Sequence, residues 1–214
     1  PRTPKCPPGG GPPPRPPAAE PLVFQQLEID YCIGAPHGRF FPEGLGQAPV
    51  LRAFGNTREG HSVCAFIHGF EPYFYIAAPA GFSVDDCDAF RNALEGRLAE
   101  QAKGPRLPQH VRRIEMVQKQ SVKGYTQQGP RAFLRIVLTL PNLVNPCRQI
   151  LERGMDVPGL GASLFTTYES NVLFALRFMI DNDIVGGNWL EFPRGSYSPR
   201  ARPETLCQYE VDLS

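Results

Sequence analysis

Residues 168–193 constrain the fold most, because they join an apolar helix, a glycine break and a short strand within 26 residues. Between residues 172 and 180, seven of the nine side chains are aliphatic, aromatic or Met. A helix that is apolar on almost every side has to be covered on most sides. We therefore expect this helix to lie deep in the fold, to end at Gly186 and Gly187, and to be followed by a strand over residues 188–192.

Arg177 is the one charged side chain inside this apolar run. An unpaired guanidinium is very costly to bury, so Arg177 requires a carboxylate, backbone carbonyls or a phosphate. One interpretation is a structural ion pair with Asp181, one helical turn away, and the other is a ligand contact. The spacing favours the structural pair.

Positive and negative charges balance over the whole chain, but they are distributed unevenly along the sequence. The 214 residues carry 22 Lys and Arg against 21 Asp and Glu, so the net charge of +1 indicates no class of partner. Between residues 97 and 135, nine basic side chains stand against two acidic ones. This basic strip either faces phosphates or is a solvated surface without a partner. Its basic residues are Arg97, Lys103, Arg106, Arg112, Arg113, Lys119, Lys123, Arg131 and Arg135.

The six cysteines are widely spaced and form no C-x-x-C or Cys/His cluster, so the sequence predicts neither a zinc site nor an iron–sulfur site. An even count is compatible with disulfides, but a long chain that is poor in cysteine favours reduced thiols in an intracellular protein. No apolar run of about 18 residues predicts a transmembrane helix. Because the first residue is Pro, we expect a fragment or a trimmed chain.

Residues 1–21 contain ten prolines and no apolar period, which predicts a disordered Pro/Gly-rich tail. Residues 22–214 predict an α+β domain with mostly antiparallel strands. The expected order is three or four strands, a helix, two strands, two helices and several short strands. Gly55 and Gly60 predict positive φ angles at the two ends of a hairpin turn.

A capping box at Ser83 and Asp86 predicts the start of an amphipathic helix. Its core face is predicted from apolar spacings of three and four residues. The residues of this face are Val84, Cys87, Phe90, Leu94 and Leu98.

Residues 69–76 predict a dense aromatic strand. Tyr73 and Tyr75 lie on the strand face opposite Phe74, because successive side chains alternate between faces. These two rings either form a platform for stacking bases or belong to the core, and the pattern favours the core. Lys123 and Tyr125 belong to a Lys-Gly-Tyr tripeptide that matches only the first three positions of an RNA-recognition signature, which is weak support for nucleic-acid binding.

No catalytic chemistry is visible in the sequence. A nucleophile elbow and a phosphate-binding glycine loop are both missing. The close acidic pairs Asp85/Asp86 and Asp181/Asp183 stand at helix ends, and two-metal catalysis needs carboxylates that converge from separate elements. We expect no catalytic residue and no metal ligand in this chain.

Three motifs resemble the N-terminal domain of a known polymerase family. Residues 24–34 with Leu-Arg-Ala-Phe-Gly at 51–55 resemble its opening, and Gly-Phe-Glu-Pro-Tyr-Phe-Tyr at 69–75 resembles its aromatic strand. Residues 168–172, 177–181 and 186–193 resemble its terminal helix and strand. The chain is thereby identified as similar, over about residues 22–214, to the delta catalytic subunits of the eukaryotic family-B DNA polymerases.

This resemblance implies a domain with OB-like and RNA-recognition-like parts that flanks a 3′–5′ exonuclease and contacts single-stranded template DNA. It implies a part of a nuclear, replicative DNA-directed DNA polymerase, with DNA, the remaining polymerase domains and accessory subunits as partners. The exonuclease, polymerase and C-terminal cysteine motifs of the family are absent here. The Mg²⁺ and the iron–sulfur cluster of the full-length family are therefore expected outside this segment, and no cofactor is expected within it.

Six residues are predicted to contact nucleic acid, chosen for basic or aromatic character around the strip. They are Tyr73, Tyr75, Lys119, Lys123, Tyr125 and Arg131. Two alternatives remain open. Instead of a polymerase part, the chain could be a free-standing single-stranded nucleic-acid-binding module or a truncated protein-interaction fragment.

Overall fold

The computed structural model describes residues 20–35, 46–101, 107–120, 129–157, 159 and 161–213. Most of the predicted tail lies outside these residues. The described elements, in chain order, are β1 (Leu22–Gly34), β2 (Ala48–Asn56), β3 (Ser62–Ile67), β4 (Tyr73–Ala77), α1 (Cys87–Gln101), β5 (Val111–Lys119), β6 (Arg131–Leu138), α2 (Val144–Arg153), β7 (Met155–Val157), β8 (Gly161–Ser163), β9 (Thr167–Tyr168), α3 (Phe174–Asp181), β10 (Trp189–Phe192), β11 (Tyr197–Pro199) and β12 (Tyr209–Leu213).

The chain divides into two compact units. Unit 1 comprises Pro1–Asp30, Arg52–Ile67 and Val185–Ser214, and unit 2 comprises Tyr31–Leu51 and His68–Ile184. The predicted α+β class with mostly antiparallel strands is confirmed, because the only parallel pair recorded among the described strands joins β12 to β3.

Unit 1 is organised by a sheet with the strand order β10-β1-β2-β3-β12-β11. Phe24 of β1 is fully buried and packs edge-on against Phe192 of β10, with ring centroids 5.4 Å apart. Gly55 is required by a close approach rather than by the positive φ expected of it, since a Cβ there would lie 2.1 Å from the carbonyl oxygen of Gln25. Gly60 does have a positive φ, of 87°.

Unit 2 contains the succession β4-α1-β5-β6-α2-β9, and its sheet has the order β5-β6-β4-β9. This β-α-β-β-α-β order is that of the ferredoxin-like split βαβ motif, in which both helices cover one face of the sheet. RNA-recognition domains also present a four-stranded sheet, so the RNA-recognition-like part has the expected topology. The OB-like part stays a prediction.

One face of this sheet forms the main core of unit 2 with α1 and α2. Phe90 and Leu94 of α1 are fully buried against Phe74 and Ile136 of the sheet. The predicted helix is confirmed, and the Ser83 amide donates to Asp86 Oδ2 over 2.8 Å at its start. The other buried residues of its predicted face are Cys87 and Leu98. Val84 is an exception, since it lies in a 3-10 turn before α1 and is exposed.

Helix α3 is less deeply buried than its composition predicts. Phe174 and Phe178 pack against Phe70, with ring centroids 5.4 and 5.2 Å away. The opposite side of the helix is open among the described residues, and Leu176 is 47% exposed. The expectation of cover on most sides is therefore wrong in this chain, because only the side that carries the two phenylalanines faces the sheet.

Candidate nucleic-acid interface

The second face of the unit 2 sheet carries a separate aromatic cluster. Tyr73 and Tyr75 of β4 pack there with Phe133 and Val137 of β6. The register pairs Tyr73 with Val137, and the alternation of side chains turns Phe74 to the opposite, helix-covered face. The predicted aromatic strand therefore has its two tyrosines on the face away from α1 and α2.

Cationic side chains cover both tyrosine rings. Lys119 Nζ lies 4.1 Å from the Tyr75 ring centroid, and the guanidinium of Arg135 lies 3.9 Å from that of Tyr73. Tyr73 is only 8% exposed and Tyr75 only 5% exposed. Stacked cations are attracted by the ring quadrupole, which accounts for this arrangement. Neither ring is an open platform in this conformation, and their contact with bases stays a prediction.

Part of the basic strip is neutralised by two carboxylates, Glu71 before β4 and Glu115 of β5. Glu71 pairs with Arg112 Nε at 3.0 Å and also with Arg113. Glu115 pairs with Arg113 Nε at 2.6 Å and with Arg135 Nη1 at 3.5 Å. These arginines belong to the strip that was predicted to face phosphates. The β5–β6 register places Glu115 beside Arg135, and Glu71 reaches Arg112 and Arg113 from the segment before β4.

A cavity of about 440 Å³ opens beside the aromatic cluster. Tyr75, Phe133 and Tyr168 contribute its rings, and Lys119 and Arg148 contribute its cations. Tyr168 meets Phe133 edge-on with centroids 5.3 Å apart. Aromatic surface next to cations is the chemistry that binds bases and phosphates together.

The segment after β9 forms one wall of this pocket. Thr167 donates a hydrogen bond of 2.6 Å to Glu152 Oε1 and lies 3.1 Å from the Ser170 hydroxyl. Glu169 has a φ of 59°, in the left-handed region that side chains other than glycine seldom occupy. A buried cation, Arg177, pairs with it over 2.7 Å. The wall therefore contains one strained residue held by an ion pair from α3.

Tyr73 also anchors α3 to the sheet. Its hydroxyl donates a hydrogen bond of 2.5 Å to Asp181 Oδ2. Burial, followed by this hydrogen bond, raises the pKa of Tyr73 well above its ordinary value. The predicted pair between Arg177 and Asp181 exists at 4.0 Å, but the contact of Arg177 with Glu169 is the shorter one.

The predicted site residues do not all meet. Lys119 and Tyr75 line the pocket, whereas Tyr73 does not, and Arg131 lies opposite Lys119 in the β5–β6 register. Lys123 and Tyr125 lie outside the described residues.

The pocket residues that sequence reasoning missed include Arg148 of α2 and Tyr168 of β9. No linear pattern brings either to Tyr75, since their proximity follows from the packing of α2 and the pairing of Tyr168 with Tyr75. The β-α-β-β-α-β order was the one signal that could have placed them together.

The described residues offer little from which a metal site could be built. Within the described ranges, no three His, Cys, Asp or Glu side chains are grouped so as to hold a metal ion. Among the described cysteines, Cys64, Cys87, Cys147 and Cys207 form no disulfide. None of the described helices combines the length and apolar character needed to cross a membrane.

One family match begins at the aromatic strand. Residues 69–145 match the family described as DNA polymerase delta catalytic subunit-like, N-terminal domain. Relatives include DNA polymerase delta catalytic subunits of Arabidopsis thaliana, 54% identical over 192 residues, and of Mesocricetus auratus, 47% identical over 204 residues. The chain is homologous to the N-terminal region of delta catalytic subunits. These alignments cover 90% and 92% of this chain, which spans 18% of each relative's length.

A second family match covers residues that follow the first match. Residues 165–214 match the exonuclease domain of DNA polymerase family B. The match includes α3, so a segment that the motifs assign to the N-terminal domain is also similar to part of an exonuclease domain. The single domain predicted over residues 22–214 stays a prediction.

A solved structure supports the fold of this delta-type chain. The family B DNA polymerase from the archaeon Pyrobaculum calidifontis aligns with a TM-score of 0.53 and 23% identity. The alignment covers 90% of this chain and 20% of that chain. At this identity the likeness concerns the fold alone.

Proposed function

We propose that this chain is the non-catalytic N-terminal part of a replicative family-B DNA polymerase, and that unit 2 contacts single-stranded template DNA. The observation that carries the proposal is the 440 Å³ pocket, which joins Tyr75, Phe133 and Tyr168 to Lys119 and Arg148. Single-strand-binding proteins combine aromatic rings for bases with cations for the backbone.

The position of the pocket on the sheet supports the same proposal. RNA-recognition domains stack bases on aromatic side chains of a four-stranded sheet, and the two helices of the motif occupy its other face. Here Tyr75 and Phe133 lie on that corresponding face of β4 and β6. Lys119 covers Tyr75 with a long, flexible side chain, so a phosphate can draw the ammonium away while a base takes its place on the ring.

The whole-protein activities belong to the same proposal. DNA polymerisation and the catalytic steps of the 3′–5′ exonuclease, with their Mg²⁺ and iron–sulfur cofactors, are proposed for regions of the full-length subunit outside this segment. DNA, those regions and the accessory subunits are the proposed partners, and the nucleus is the proposed location.

Support of the remaining exonuclease domain is proposed for α3, which lies inside the segment that is similar to such a domain. Its side away from the sheet exposes Leu173, Leu176 and Ile180, which recur at helical spacing. Leu176→Gln keeps good helix propensity and should leave thermal unfolding of this chain unchanged. The same change should lower the melting temperature of a longer protein that includes the exonuclease domain. Equal melting temperatures for the longer protein with and without Leu176→Gln would contradict this support role.

The template contact is tested by fluorescence anisotropy with a labelled single-stranded DNA oligonucleotide over a salt series. We expect affinity to fall as salt rises. The Lys119→Ala/Arg148→Ala variant should reduce the salt slope by about 1.4, since each phosphate contact to a single strand contributes about 0.7. Arg153→Ala is the matched control, because Arg153 is an exposed α2 cation outside the pocket.

Absence of binding by a folded chain would refute autonomous template contact. Equal salt slopes for the double variant and for Arg153→Ala would refute the pocket as its location.

A further inference from the structure

The Glu169 carboxylate lines the pocket and would repel a phosphate that enters it. The lining residues carry two cations, Lys119 and Arg148, and two carboxylates, Glu152 and Glu169, so their formal charges cancel. Arg177 stands behind the wall, outside the lining, and adds one positive charge through its pair with Glu169. With Glu169 paired in this way, the remaining charges of the lining are those of Lys119, Arg148 and Glu152, which sum to +1.

We propose that Arg177 is a positioning residue that neutralises Glu169 at the pocket wall and thereby permits phosphate to enter. The proposal rests on the template contact proposed above and concerns how the same site is controlled. Arg177 itself does not touch the nucleic acid.

The geometry of Arg177 favours a role through charge. Its side chain is only 8% exposed, while that of Glu169 is 44% exposed. Arg177 Nη1 lies 2.7 Å from Glu169 Oε2, and the guanidinium lies 5.0 Å from the Tyr73 ring centroid. Its Nε and Nη2 have no hydrogen-bond partner among the described residues. The ion pair with Glu169 is thus the shortest polar contact of the Arg177 side chain. It offsets part of the free-energy cost of burying the guanidinium.

The left-handed backbone of Glu169 supports the same role. A φ of 59° is unfavourable for a glutamate, so the surroundings have to hold it in place. The ion pair supplies that restraint, and it fixes the carboxylate at the wall beside Tyr168, Ser170 and Asn171. Arg177 therefore sets both the position and the effective charge of Glu169.

A double-mutant cycle on single-stranded DNA affinity separates this role from simple packing. Arg177→Met keeps an apolar stem in the buried site and should weaken binding about fivefold, because one carboxylate is left uncompensated near the phosphates. Glu169→Gln alone should change affinity by less than about twofold, because the carboxylate was already paired. In the Met variant the same Gln substitution should restore the affinity of the unmodified chain.

Two further variants serve as controls. Arg177→Lys retains the positive charge and should bind DNA within about twofold of the unmodified chain. Asp181→Asn alters a carboxylate of the same cluster that does not line the pocket, and it should also leave affinity unchanged. Circular dichroism verifies that each variant is folded.

The outcomes are distinguishable. If the unmodified chain does not bind DNA, the template contact fails and this inference falls with it. If the unmodified chain binds but Glu169→Gln fails to rescue Arg177→Met, Arg177 acts through packing and only this inference is overturned. Equal gains from Glu169→Gln in both backgrounds would show independent charges, and would also overturn it.

Discussion

Glu95 of α1 holds the start of β5 through a single carboxylate. It accepts the backbone N–H of His110 at 2.9 Å and that of Val111 at 2.7 Å, and His110 Nδ1 lies 2.7 Å from its Oε1. Both donor residues are buried, with His110 4% exposed and Val111 fully buried. Glu95→Ala removes the acceptor and leaves two backbone donors near the core without a partner.

The size of the loss follows from these contacts. A hydrogen bond to a charged group contributes about 1.5–3 kcal/mol, so two such bonds give an upper range of about 3–6 kcal/mol. The Glu95 side chain is 24% exposed, so water can reach part of the site after truncation. We therefore expect Glu95→Ala to lower the free energy of unfolding by about 3 kcal/mol. Glu95→Gln, which keeps a carbonyl acceptor without the charge, should cost about 1.5 kcal/mol.

The assay is urea denaturation followed by far-UV circular dichroism. All three described helices belong to unit 2, so the helical signal follows the unit that contains Glu95. Glu100→Ala is the matched control on the same helix, since Glu100 is exposed and should change stability by less than about 0.5 kcal/mol. A loss below about 1 kcal/mol for Glu95→Ala would refute the reasoning that these bonds fix the start of β5.

Two further predictions concern buried contacts elsewhere. Because the pKa of Tyr73 is raised by burial and by its bond to Asp181, the unfolded chain releases this proton at lower pH than the folded chain. Stability should therefore fall as pH rises above about 10, and Tyr73→Phe should flatten that decline in unfolding measured from neutral to alkaline pH. Gly55→Ala should destabilise unit 1 by about 2 kcal/mol or more, because the new methyl group meets a carbonyl oxygen of β1. Fluorescence of the single tryptophan, which lies in unit 1, reports this loss. The control is Gly186→Ala, at a site with open space around the new Cβ, which should leave the unfolding midpoint almost unchanged.

Local periodicity predicted the elements that pack by a single face. The spacing of Cys87, Phe90, Leu94 and Leu98 defines the buried side of α1, and the alternation around Phe74 defines the two faces of β4. Each of these patterns repeats over several residues. One side chain that departs from the pattern, such as Val84, therefore does not alter the predicted buried face.

The candidate site was harder to predict because it depends on residues distant in sequence. A register shift in β5 between Val111 and Arg113 lets Val111 face the core, and an alternating pattern cannot anticipate such a bulge. The same strand pairing puts Glu115 beside Arg135 and so neutralises part of the strip. The short contact of Arg177 with Glu169 depends on a left-handed backbone that the sequence around a glutamate does not signal.

The division of unit 1 among three segments has a consequence for folding during synthesis. Its sheet pairs Leu22 with Phe192 and Val63 with Tyr209, across sequence separations of 170 and 146 residues. Unit 2 lies almost wholly between those partners and relies mostly on nearer pairings. Distant pairings carry a larger loop-closure cost and form slowly. Unit 2 can therefore fold first and shorten the loop that unit 1 has to close. During synthesis, β1 and β3 can pair with β10 and β12 only after those later strands have left the ribosome.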